Sequence, residues 1–257
     1  MKFFDSHAHY YDEQYGENAD NIINEIYKNG ITNVINVGAS VESSKKVVEQ
    51  ALKYDFMYAA VGIHPEEAVE GNVKKEDLLY IKELAQNKKV VAIGEIGLDY
   101  HYDNTNKNLQ AKLFKELIEI ANQVDLPIII HNRDSNTDLI NILKNEINAN
   151  KKGVFHCCQM NIEFIKQALE LDYYISFAGA ITFKNAKKAK EVVEFVPLEK
   201  LLIETDAPYL APDPYRGTIN SSINVKLIAQ KIAEFKNIPL EKVANTTYNN
   251  TTKLFEL

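Results

Sequence analysis

The sequence predicts an α/β protein folded as a TIM (β/α)8 barrel. Three observations predict it. The chain has 257 residues, a length at which such barrels form one unit. Short apolar runs alternate with longer segments of helical period. Several of those runs are apolar on successive residues, as in Val90-Val91-Ala92-Ile93 and Ile128-Ile129-Ile130, which marks parallel strands buried on both faces.

Taken in order, the predicted strands are residues 2–6, 33–37, 58–62, 90–94, 127–130, 153–155, 173–176 and 201–203. Between them lie helical patterns. Residues 106–124 repeat Leu109, Leu113, Phe114, Leu117, Ile120, Ala121 and Val124 at steps of three and four, and residues 162–171 and 223–235 behave alike. Ser40, Thr105 and Ser135 stand where helix N-caps belong. Eight strands with helical crossovers imply closure. The alternative, a doubly wound open sheet, lacks a Gly-rich phosphate loop after its first strand. Residues 240–255 read as an added C-terminal helix, and residues 1–257 as a single domain without linker or repeat.

The apolar share of 46% supports a sizeable core. A formal net charge of −7 argues against holding nucleic acid through a global basic field. It leaves room for a nucleic-acid substrate met by bound cations. The two cysteines, Cys157 and Cys158, are adjacent and form no disulfide framework. Cys157 reads as a small buried hydrophobe. With no signal-like segment and no apolar run long enough to span a bilayer, a cytoplasmic protein with no membrane partner is expected.

Chemistry collects after the strands. Five of the six histidines, His7, His9, His64, His131 and His156, closely follow predicted strands, and His101 sits in the loop after the fourth. In a TIM barrel the carboxyl ends of the strands form the catalytic face. His7 and His9, two apart on a strand, point to one side, and neutral imidazole is a common metal ligand. Glu95 and Asp206 each end a buried run, where a carboxylate is costly unless paired or on a metal. Glu95 has two oxygens and can bridge two ions. Asp206 can bind an ion and accept a proton from an attacking water. Together these residues predict a metal-dependent hydrolase. Lys184, Lys187, Lys188 and Lys190 read as the solvated face of the helix after the seventh strand.

The motifs that carry this chemistry are Asp5-Ser6-His7-Ala8-His9, Val61-Gly62-Ile63-His64-Pro65, Gly94-Glu95-Ile96-Gly97-Leu98-Asp99-Tyr100 and the stretch from Pro127 to Asp134. They continue with Gly153-Val154-Phe155-His156-Cys157, Glu204-Thr205-Asp206-Ala207-Pro208-Tyr209-Leu210-Ala211-Pro212 and Arg216-Gly217. The chain thereby resembles the TatD family of metal-dependent deoxyribonucleases over nearly its whole length. The resemblance implies two divalent metal ions, Mg or Mn for activity with Zn also compatible. His7, His9, Glu95 and Asp206 would hold one, and Glu95, His131 and His156 the other. It implies a nuclease that cleaves phosphodiester bonds of DNA, and RNA as a further substrate, from single-stranded or frayed 3′ ends. Activation of water by the two metals would drive it, with Asp206 and Glu95 catalytic and no obligate protein partner. His64, Arg133, Arg216 and Tyr100 would line the substrate, and Asp99 with Tyr100 would orient ligands.

Three stretches depart from the family pattern: Cys158-Gln159-Met160, Ser221-Ser222 after Asn220, and Leu117. None is a proposed ligand. The alternative function is a small-molecule amidohydrolase or phosphoesterase on the same dinuclear site. Such relatives often bridge their metals with a carboxylated lysine, and no lysine stands at the end of the fourth strand. A binding protein without catalysis is the third class, which the intact ligand set disfavours.

Overall fold

Strands apolar on both faces require partners on both sides, and the chain supplies them in sequence order. The computed structural model describes residues 1–102 and 105–257. Among these, β1 (Phe3–Ala8), β2 (Ile31–Val37), β3 (Met57–Val61), β4 (Val90–Asp99), β5 (Ile128–Arg133), β6 (Val154–Phe155), β7 (Tyr174–Phe177) and β8 (Leu201–Ile203) form one sheet in the order β1 to β8. Each neighbouring pair is parallel. An Ala8–Ala207 bridge and the bond from Ser6 Oγ to Ile203 O nearly close the ring. The result is the predicted TIM barrel.

Helices wrap the sheet: α1 (Ala19–Lys28), α2 (Val41–Lys53), α3 (Lys75–Leu84), α4 (Lys107–Val124), α5 (Asn136–Asn141), α6 (Ile162–Glu170), α7 (Ala189–Phe195), α8 (Val225–Lys236) and α9 (Leu240–Leu254). Ser40 caps α2, its hydroxyl accepting from Ser43 N. The cap of α4 is Asn106, one residue past the predicted Thr105, because its carboxamide oxygen accepts from Leu109 N. Ser135 occupies the cap position of α5 without capping it. Its hydroxyl donates instead to Leu98 O and Asn132 Oδ1, tying β4 to β5.

Two strands run well past their predicted ends. β4 continues from Gly94 to Asp99, and β5 continues to Arg133. Between Ile93↔Ile128 and Ile96↔Ile130 three steps along β4 match two along β5. That bulge absorbs the extra residue and turns Glu95 into the barrel mouth. Pairing then resumes through Gly97↔His131. Only glycine fits at position 97: its φ is +148°, and a Cβ there would sit 2.0 Å from His131 O.

The core has two layers. Phe4, Ile35, Val91, Ile129 and Leu202 fill the barrel interior, and Phe255 from the C-terminal end of the chain joins them. Tyr248 of α9 packs its ring on Phe4 at 5.8 Å. The added helix therefore seals the end of the barrel opposite the strand carboxyl ends. No helix among the described residues is long and apolar enough to cross a membrane.

Candidate metal centre

The carboxyl ends of β1, β4, β5, β6 and β8 bring the predicted ligands to one point. β1 ends at Ala8, so His7 lies within the strand and His9 just beyond it. His9 N donates to Ala207 O at 2.7 Å and Asp206 N donates to His7 O at 3.0 Å. This stitching of β1 to the end of β8 sets Asp206 beside both histidines.

Glu95 lies at the centre. Its Oε1 is 2.8 Å from His131 Nδ1 and 2.8 Å from His156 Nε2. Its Oε2 is 3.4 Å from His7 Nε2 and 3.6 Å from His9 Nε2. Asp206 Oδ1 faces the same pair, 3.7 Å from His7 Nε2 and 3.3 Å from His9 Nε2. Each carboxylate oxygen of Glu95 thus addresses a different pair of imidazoles. His64 completes the wall, its Nε2 3.6 Å from Glu95 Oε1 and its ring edge-on to His131. Its Nδ1 accepts from Glu66 N, which fixes the ring.

The donor set fits a metal. His7 Nε2 and His9 Nε2 are 3.0 Å apart, and His131 Nδ1 and His156 Nε2 are 3.3 Å apart. Nitrogens aimed at nitrogens cannot all donate, so lone pairs converge on common points. Three groups bring their ligand atoms within 4.8 Å of one another: His7, His9 and Glu95; His7, His156 and Asp206; His64, Glu95 and His131. Mixed imidazole and carboxylate ligation suits Mn or Zn, and the carboxylates also suit Mg.

The electrostatics show what the cluster favours. Burial alone would raise the Glu95 carboxyl. The positive charge of His156 and the bonds to His131 and His156 outweigh it and hold the group well below the usual carboxylate range. Burial depresses His156, yet Glu95 and Glu204 lift it well above the ordinary imidazole value. His9 and His131 are raised in the same way, against burial, by Asp206 and by Asp99 with Glu95 respectively. His64 is pushed down to about 3 by burial. Buried carboxylates here draw positive charge onto imidazoles, which is the demand a bound dication meets.

Two buried carboxylates behind the cluster escaped the sequence reading. Glu204 is fully buried, its Oε1 accepting from Cys157 N at 2.6 Å and lying 3.5 Å from His156 Nδ1. That nitrogen, like Glu204 Oε2, makes no hydrogen bond. Glu204 thus faces the His156 ring from behind, close enough to act on its charge. It directly follows buried β8, the same signal that identified Glu95. Changing Glu204 to Gln is expected to weaken Mn binding about 10- to 100-fold, measured by calorimetric titration. Unchanged affinity would remove Glu204 from this role.

Asp5 lies beneath His7. It accepts from Thr205 N at 2.9 Å, from His7 N at 3.3 Å, and from the hydroxyls of Thr205 and Ser222. The Ser222 departure from the family pattern therefore supplies a donor to a buried carboxyl. Burial pushes Asp5 up to about 7 despite these bonds. A group with a raised folded pKa contributes stability fully below its unfolded value, about 4, and loses it as pH rises through about 7. Metal-free wild type is therefore expected to lose thermal stability relative to Asp5→Asn between pH 4 and pH 7, with the difference level above. Midpoints that move in parallel across that range would contradict this.

The remaining predicted residues divide. Asp99 is brought in, its Oδ2 3.0 Å from His131 Nε2, leaving His131 Nδ1 free to face the cluster. Tyr100 is not: its hydroxyl donates to Asp138 at 3.1 Å and Lys107 lies over its ring. Arg133 ends β5 rather than lying in a loop, with its guanidinium over Tyr102. Arg216 is exposed, 4.3 Å over the Phe183 ring. His101 pairs with Asp134 at the rim. Of the cysteines, Cys158 is the buried one and Cys157 is half-buried. Burial pushes the Cys157 thiol well up, which suits no nucleophile. The lysine run is also displaced. Helix α7 begins at Ala189, so Lys184, Lys187 and Lys188 belong to the loop before it.

Comparison with known proteins agrees with this geometry. The family model described as TatD related DNase matches residues 4–256. The uncharacterized metal-dependent hydrolase YabD of Bacillus subtilis strain 168 is 42% identical over 254 residues, covering 99% of each chain. Among solved structures, YjjV, a TatD homolog from Escherichia coli K12, superimposes with a TM-score of 0.92 at 28% identity, covering 99% of this chain and 98% of its own. A TatD family hydrolase from Entamoeba histolytica gives 0.85 at 26% identity over 99% and 98%.

Proposed function

The chain belongs to the TatD related DNase family of metal-dependent hydrolases, and from that membership we propose that it hydrolyses phosphodiester bonds of DNA from single-stranded or frayed 3′ ends. The observation that carries the reading is the division of Glu95, with Oε2 turned to His7 and His9 and Oε1 to His131 and His156. One carboxylate addressing two separate imidazole pairs suits two divalent ions, Mg or Mn. His7, His9, Glu95 and Asp206 would hold the first, and Glu95, His131 and His156 the second. Ions bound there would supply Lewis acidity toward phosphoryl oxygens and lower the pKa of a water.

The protein's own groups do the rest. Asp206, half-buried at the mouth, is kept ionised against burial by His9 and by the charge of His7. It accepts the proton of the attacking water through a carboxylate oxygen. Asp99 holds His131 in its aim, and the Glu204 carboxylate behind His156 favours positive charge on that ring. A mouth at the bottom of eight loops admits a strand terminus more readily than the middle of a stiff duplex. The net charge of −7 favours transient rather than coating contact with nucleic acid.

A 3′-labelled single strand incubated with Mn or Mg tests the reading, with His131→Ala as the background. Mononucleotides released progressively from the labelled end are expected. Degradation no greater than the His131→Ala background would contradict it, and turnover of amide or phosphotriester substrates instead would favour the small-molecule alternative.

A further inference from the structure

A chain of net charge −7 must offer a polyanion some route to its site. The loops that follow each strand surround the cluster, because all strands run parallel and end on that face. Their charges differ by sector. The loop after β1 carries Asp12, Glu13 and Glu17, and the loop after β3 carries Glu66, Glu67 and Glu70 against Lys74. The loop after β7, residues 178–188, carries Lys184, Lys187 and Lys188 and no carboxylate. All three lysines are exposed. Among the described residues no other loop of this face is basic.

Aromatic rings stand both beside the cluster and in that sector. Tyr209 is 46% exposed, yet both ends of its side chain are held. Its hydroxyl donates to Asp12, and its ring lies edge-on to the His9 ring, centroids 6.2 Å apart. Its backbone N donates to Asp206 O at 2.8 Å, so the ring is fixed to a proposed ligand. The loops after β7 and β8 then run in contact. A Cβ on Gly179 would sit 1.9 Å from Leu210 O, and Asp213 N donates to Thr182 Oγ1. Phe183 follows, with the Arg216 guanidinium over its ring, and Lys184 comes next. Flat rings interleaved with cations suit a single strand, whose bases stack and whose phosphates pair with charge.

We propose that a single-stranded polynucleotide with its end at the cluster leaves the barrel over the β7–α7 loop, stacking on Tyr209 and Phe183 and pairing its phosphates with Arg216, Lys184, Lys187 and Lys188. The proposal rests on the nuclease reading. It assigns the basic run a role that a solvated helix face would not have.

The test compares oligothymidylates of two to ten nucleotides, with Mn, on wild type and on K184E/K187E/K188E. In wild type kcat/KM is expected to rise with length. The triple variant should lose on the order of ten-fold on the decamer at low salt and leave the dinucleotide unchanged. Its plot of log kcat/KM against log salt should be shallower by about 2, at roughly 0.7 per phosphate contact on a single strand. Reversal of Lys45, Lys88 and Lys253, exposed lysines outside these loops, should leave the length dependence intact. Cleavage independent of length, or equal losses from both triple variants, would overturn the route while leaving the nuclease reading in place. No cleavage of any oligonucleotide by wild type would overturn both.

Discussion

Replacing Glu95 by Gln is expected to lower kcat by at least about 10³-fold, since loss of a single electrostatic group in an active site costs on the order of 10² to 10³. Glu95 should exceed that, because its two oxygens serve both imidazole pairs at once. A carboxamide keeps the shape and one oxygen but removes the charge and presents an NH2 to one pair. Either orientation costs one position its carboxylate. The same substitution should lower the pKa of His9, His131 and His156 in the metal-free protein, since Glu95 helps to raise each of them. Proton NMR of the histidine ring resonances measures that fall. Retained activity with an ordinary Mn requirement would show that the two oxygens of Glu95 do not organise the site.

The second large effect is expected at Asp206. Asp206→Asn should reduce kcat by about 10² to 10⁴, the range of general acid–base catalysis, with KM on a short oligonucleotide changed far less. The backbone argues for that split. Asp206 N bonds to His7 O, and Tyr209 N to Asp206 O, whatever the side chain. The loop should therefore keep its course while the proton acceptor is lost. A rise in KM with kcat preserved would make Asp206 a binding group instead.

Much of this was legible from the chain because each ligand ends an apolar run. A buried parallel strand cannot tolerate an unpaired carboxylate or several stray imidazoles. Such residues at or just past the ends of five strands, with His9 among them, therefore announce both barrel and site. The length of β4 was not legible. Gly94-Glu95-Ile96-Gly97 reads locally as a strand stop, and only pairing with β5 across the bulge carries the ladder on to Asp99. That extension moves Arg133 from loop to strand and sets Asp99 behind His131.

Glu204 was hidden by its neighbour. Asp206 absorbed the meaning of a carboxylate after β8, although Glu204 is the more deeply buried of the two. The lysine run was misplaced for a local reason. Ala186 and Ala189 continue a helical pattern backward, but α7 begins only at Ala189. Three of the four lysines consequently fall in a loop of the catalytic face. Ser135 resembled a cap, and tertiary bonds to Leu98 and Asn132 claimed its hydroxyl instead.

Anomalous scattering from crystals of the protein grown with Mn tests the central claim most directly. Two peaks are expected, one among His7, His9, Glu95 and Asp206 and one among Glu95, His131 and His156, and at least one should vanish in Glu95→Gln crystals. Mn bound elsewhere, or two peaks that persist unchanged at these positions without the Glu95 carboxylate, would contradict it.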